Sequence, residues 1–122
     1  MNKKNFIKAC LYLIVIALTC CNKANYFPDL GAEWKNLASP VPDYFYFRAN
    51  DGSAYKSEFV GNESLNYSDV YSFSGSFENH KIHFTFSNGP NAGTTYSGTI
   101  SGTGIDEIIT LSTPTGQITL TR

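Results

Sequence analysis

Few side chains in this sequence are of a type that does chemistry, and their spacing limits what they can do. His80 and His83 are the only histidines, three positions apart across a Glu78-Asn79-His80 turn. Such a pair across a hairpin suits two ligands of a metal ion. A third ligand at useful spacing is missing, His83 alternates with Ile82 and Phe84 toward the opposite face, and cysteine is absent from the surrounding segment. Both are read as surface histidines. Asp106-Glu107 is an adjacent acidic pair beside Gly104. Acid–base hydrolysis of a glycoside needs two carboxyls facing each other across several ångströms, and neighbours in a turn point apart, so the pair reads as a solvated loop. Asn50-Asp51-Gly52 lacks the further acidic ligands of a calcium loop. Serines and threonines are plentiful, but no Gly-x-Ser-x-Gly elbow is present. The expectation is a protein that is not an enzyme and carries neither metal nor cofactor.

The elements that would position these residues are strands. Ser74-Gly75-Ser76-Phe77 is followed by Phe84-Thr85-Phe86-Ser87, then Ser97-Gly98-Thr99-Ile100 by Ile109-Thr110-Leu111-Ser112, with Ile118-Thr119-Leu120-Thr121 as a last echo. Bulky apolar residues alternate with small hydroxyl residues, which is the period of a half-buried strand. Candidate strands cover 43–47, 54–60, 69–77, 81–87, 94–101, 107–112 and 117–122, joined by turns rich in Gly and Asn, with 61–66 as a polar connection. Seven short strands predict an all-β antiparallel meander. Edge exposure would curl it into a small barrel or fold it into a sandwich.

Ahead of these strands, Leu30, Trp34 and Leu37 fall at i, i+4 and i+7, with Asp29 placed to cap and Pro40 to stop a helix. The spacing predicts a short helix near Trp34 packed on the sheet; an extended lead-in strand is the alternative. The division is 1–20 as an export signal, 21–42 as tether and lead-in, and 43–122 as the β domain.

The first segment reads as an address. Lys3, Lys4 and Lys8 precede an uncharged apolar run from Ala9 to Leu18, too short to span a bilayer as a helix. Leu18-Thr19-Cys20-Cys21 resembles the lipobox of bacterial lipoproteins, in which a Leu stands three residues before the cysteine that becomes the lipidated N-terminus. The resemblance implies lipidation at Cys21, with Cys20 as the alternative, and residence in the bacterial cell envelope. All three cysteines, Cys10, Cys20 and Cys21, lie at or before this point, leaving no pair for a disulfide in the domain.

After cleavage at Cys21, six basic residues face ten acidic ones with no basic patch, which argues against nucleic-acid binding. Sixteen of the eighteen aromatic residues remain. Most suit a small β core; Tyr44 and Tyr46 fall together on one strand face, to be covered by the Trp34 segment or left free for a glycan or partner protein. Gly31-Ala32-Glu33-Trp34 before the strands and Arg122 at the end of the last one resemble the lipocalin superfamily. There an early Trp packs on a late Arg and closes one end of the barrel, although Gly-x-x-Trp is one residue longer than that family's motif. The resemblance implies a carrier of a small apolar ligand, lined here by Trp34, Phe45, Phe47, Phe73 and Phe84. A filled interior is the competing expectation, since seven short strands enclose little space. The functional expectation is a non-catalytic binding or interaction module of the cell envelope; the alternatives are the carrier, an accessory subunit of an envelope complex or glycan binder, and, last, a hydrolase.

Overall fold

A computed structural model describes residues 24–49 and 52–122. Residues 1–23, which contain the expected signal segment with Cys20 and Cys21, and the turn residues Asn50 and Asp51 lie outside the described part. Eight antiparallel strands close into a barrel: β1 (Glu33–Asn36), β2 (Asp43–Arg48), β3 (Lys56–Leu65), β4 (Asp69–Glu78), β5 (Lys81–Phe86), β6 (Thr95–Ser101), β7 (Ile108–Thr113) and β8 (Gly116–Thr121). A single 3-10 turn, Gly104–Asp106, precedes β7. The all-β meander expected from the alternation is therefore present. It curls into a barrel rather than a sandwich, and it has one strand more than expected.

The extra strand replaces the expected helix. Glu33–Asn36 pairs with β2 through Trp34↔Phe45 and with β8 through Lys35↔Thr121 and Asn36↔Leu120. Closure decides the matter, because without β1 both β2 and β8 would present unpaired edges. The helical stripe also fails on burial. Leu30 and Trp34 are fully buried, but Leu37 is 76% exposed. The sheet therefore begins at Glu33 rather than Asp43. A second correction concerns 61–66. Gly61 to Leu65 continues β3, pairing to β2 through Phe47↔Gly61 and Phe45↔Glu63. Its inward phase runs through Gly61, Glu63 and the half-buried Leu65, so the alternation persists with little of its usual hydrophobic signal.

Inward positions build the core: Phe45 and Phe47 from β2, Phe59 from β3, Phe73 and Phe77 from β4, Ile82, Phe84 and Phe86 from β5, Tyr96 and Ile100 from β6, Ile109 and Leu111 from β7, and Leu120 from β8. Each fully buried side chain of this size contributes about 1.5–3 kcal/mol, and no disulfide assists among the described residues. Gly75 lets two strands of this wall close up. A Cβ there would lie 1.9 Å from the His83 carbonyl oxygen and 2.5 Å from Phe84 Cα, so β4 approaches β5 more closely than any other residue allows.

The two ends of the barrel differ. One end carries residues 24–32 and the β2–β3, β4–β5 and β6–β7 connections. The other carries the β1–β2, β3–β4, β5–β6 and β7–β8 connections.

Candidate functional site

The first end is plugged by the segment leading into β1. Pro28 and Leu30 are fully buried there. The Tyr26 amide donates to Asn79 Oδ1 at 2.8 Å, and its ring stacks on His80 with centroids 4.0 Å apart. His80 is in turn held by a ring nitrogen 2.8 Å from the Ile100 carbonyl. It is exposed, as expected of a surface histidine, yet these contacts fix its ring. The Tyr26 hydroxyl lies 2.9 Å from both Glu107 Oε2 and the Gly102 carbonyl. Burial, then the bonded Glu107 carboxylate, pushes this phenol well above its ordinary pKa.

Glu107 is 3% exposed, which overturns its reading as part of a solvated loop. It accepts from the Asp29 amide at 3.3 Å and pairs with Arg122 at 3.4 Å. Its sequence phase carried the signal: it stands two residues before inward Ile109 and four before inward Leu111. Arg122 also donates to the Asp29 carbonyl, lies 3.7 Å from its carboxylate, and places its guanidinium 4.8 Å from the Trp34 ring centre. The Trp34 Nε1–H donates to the Leu30 carbonyl at 3.3 Å. Trp34 and Arg122 thus meet and seal this end, as a buried, paired charge over an aromatic face requires.

The interior is filled. All five residues expected to line a ligand pocket are buried, and four of them pack on one another. Phe73 and Phe84 have ring centroids 4.3 Å apart, Phe47 lies 5.4 Å from Phe73, and Phe45 lies 6.3 Å from both Phe73 and Phe84. Trp34, the cross-strand partner of Phe45, joins the same buried cluster from the plugged end. An open concavity of ≈ 700 Å³ lies on the wall over β3, β4 and β5, lined mainly by outward residues including Arg48, Glu58, Ser74, Ser76, His83 and Thr85. His83 is exposed in it, with Nε2 3.3 Å from Ser76 Oγ. Glu58 lies beyond Ser76 in the same cross-strand row, so it does not orient the imidazole as a triad carboxylate would.

Polar groups enter the interior at the far end. Asp43 and Glu63 are diagonal neighbours on the inner face of β2 and β3, both more than nine-tenths buried. Asn36 Nδ2 donates to Asp43 Oδ2 at 3.1 Å, whereas Asp43 Oδ1 has no partner among fixed donors. Burial first, then the hydrogen bond to Asp43 and the Asp43 charge, raise the Glu63 pKa from 4.5 to about 8. Tyr96 stands close enough for burial and these two carboxyls to raise its pKa too, and its hydroxyl accepts from Asn91 at 3.2 Å. Sequence reasoning missed the pair because it read 61–66 as a connection and so lost the phase of Glu63.

The rim of that end is aromatic. Tyr44 faces outward, uncovered by the Trp34 segment, because Trp34 points into the barrel. The Tyr44 ring lies 5.9 Å from Tyr67, with hydroxyls 3.3 Å apart. Tyr46 is half-buried and its hydroxyl donates to Glu33 at 3.2 Å, outside the Tyr44–Tyr67 contact. Tyr67 is 74% exposed at φ 60°, after Asn66 at φ 54°, in the tight β3–β4 turn. That turn favours Asn-Gly, and a tyrosine in its second position is strained. Leu37 and Val41 are exposed at the same end, and the Asn66 amide donates to the Pro42 carbonyl at 2.7 Å, tying the two loops together.

No protein-family model, curated protein sequence or solved structure matches the chain significantly.

Proposed function

We propose that the chain is a small lipoprotein of the bacterial cell envelope, lipidated at Cys21 or else Cys20, whose barrel is a non-catalytic interaction module. It binds through the rim around Tyr44 and Tyr67. Tyr67 carries this reading: a large, exposed aromatic is retained where the backbone favours glycine, and strain of that kind is kept where the side chain has work to do. The partner is an envelope protein or glycan, either of which a tyrosine platform suits. The filled interior favours this reading over a carrier of a small apolar ligand. The Trp34–Arg122 seal and the closed eight-stranded wall nevertheless support kinship with lipocalin-type barrels.

A photocrosslinking residue at position 67 tests the module in intact cells. It should yield a discrete adduct that disappears with Tyr44→Ala, while the same group at Thr110 on the wall yields none. Equal labelling from both positions overturns the reading. Attachment is tested separately by lipid labelling, which should be lost in Cys21→Ala, or in Cys20→Ala if that residue is the acceptor. Label retained in both variants removes the lipoprotein assignment.

A further inference from the structure

We infer that the plugged end of the barrel sits directly on the bilayer, with Phe27 and Ile105 inserted at the lipid interface. This rests on the lipidated cysteine proposed above. The first observation is the length of the tether. Tyr26 is already fixed to the barrel by its amide bond to Asn79, its stack on His80 and its hydroxyl contacts at Gly102 and Glu107. Five peptide units separate it from Cys21, which reach no more than about 18 Å fully extended. Ten-residue β3, for comparison, runs about 33 Å. A lipid at Cys21 therefore keeps the plugged end within about 18 Å of the membrane, about half the length of β3, and presents that end to it.

The second observation is what that end exposes. Ile105 is 85% exposed at the tip of the β6–β7 connection, whose Gly102 is touched by Tyr26. Phe27, the residue after Tyr26, is 50% exposed and stands edge-on to Tyr55 at 6.1 Å in the β2–β3 connection. Phe27, Tyr55 and Ile105 thus lie at the same end of the barrel as the tether, on the lead-in segment and two separate connections. Exposed in water they are a liability; at the level of lipid headgroups, aromatic and aliphatic tips are stabilised. Lys56 and Lys81 are exposed at the same end, each the cross-strand partner of Glu78, so the apolar tips rather than a basic patch carry the contact. The same seating turns the Tyr44–Tyr67 rim away from the membrane, toward any partner.

The full-length lipidated chain, reconstituted in vesicles of phosphatidylethanolamine and phosphatidylglycerol, tests this. Environment-sensitive fluorophores are placed on Ile105→Cys, on Phe27→Cys and on Thr115→Cys at the opposite end, and quenched by lipids carrying a nitroxide near the headgroup. The expected result is quenching at positions 105 and 27 at least several-fold stronger than at 115. Quenching no stronger at 105 and 27 than at 115, in protein that still floats with the vesicles, overturns the seating and leaves the anchor standing. Failure of the unsubstituted chain to float with the vesicles overturns both.

Discussion

Glu63 shows how one residue can set the pH response of this barrel. Its carboxyl lies inside the wall beside Asp43, with no basic side chain bonded to it among the described residues. A carboxyl whose folded pKa lies above its unfolded one keeps a proton in the folded state that the unfolded chain has already released. Stability should then fall as pH rises from about 4.5 toward the folded value of about 8. It should flatten above that. Glu63→Gln keeps a hydrogen-bond donor beside Asp43 without a titrating proton, so its melting temperature should exceed that of the parent above pH 8. The two should converge near pH 5. Thermal melts across this range check the expectation, and parallel curves for the two proteins would mean that Glu63 is ionised in the fold.

At the scale of the element, β5 has two chemically distinct faces. Ile82, Phe84 and Phe86 are buried, whereas His83 and Lys81 are exposed. Phe84→Ala removes a ring in contact with Phe73, Phe47, Phe59, Phe86 and Tyr96, and should cost about 3–5 kcal/mol. His83→Ala should stay within about 0.5 kcal/mol of the parent, as ordinary surface changes do. Gly75→Ala, which adds one methyl against the His83 carbonyl, should cost at least about 1–3 kcal/mol. Denaturant unfolding of the three variants gives this order; a His83→Ala cost comparable to that of Phe84→Ala would contradict the facing.

Across the whole molecule, closure and filling decide between carrying a ligand inside and binding one outside. Fifteen buried hydrophobic residues occupy the interior, and residues 24–32 plug one end. Trp34, the only tryptophan, reports on that interior. Titration with fatty acids should therefore leave both its fluorescence and the melting temperature unchanged. A saturable Trp34 response with a matching thermal shift, as mass action requires of a ligand that prefers the folded state, would restore the carrier.

Alternation over two residues is a local property, and it was legible in the chain for β2, for the first half of β3 and for β4 to β8. It also placed Phe45, Phe47, Phe73 and Phe84 on inward faces and His83 on the outer one. Turn chemistry at Glu78-Asn79-His80 was readable for the same reason, since Asn79 accepts the positive φ that the turn needs. What remained hidden depends on contacts between distant positions. Four residues of β1 are too few to show a period, and they are strand because Asn36 meets Leu120 and completes the wall. Glu107 and Glu63 are polar in sequence but buried in space. Arg122 is bonded to Glu107 across the plugged end, and Asp43 is set beside Glu63 by the β2–β3 register. The Trp34–Arg122 seal joins positions near opposite ends of the described chain; the family resemblance led to its expectation, but no local pattern did, because the pairing exists only once the barrel has closed. Local pattern wrote the strands and their faces; closure decided which of their polar residues lie inside.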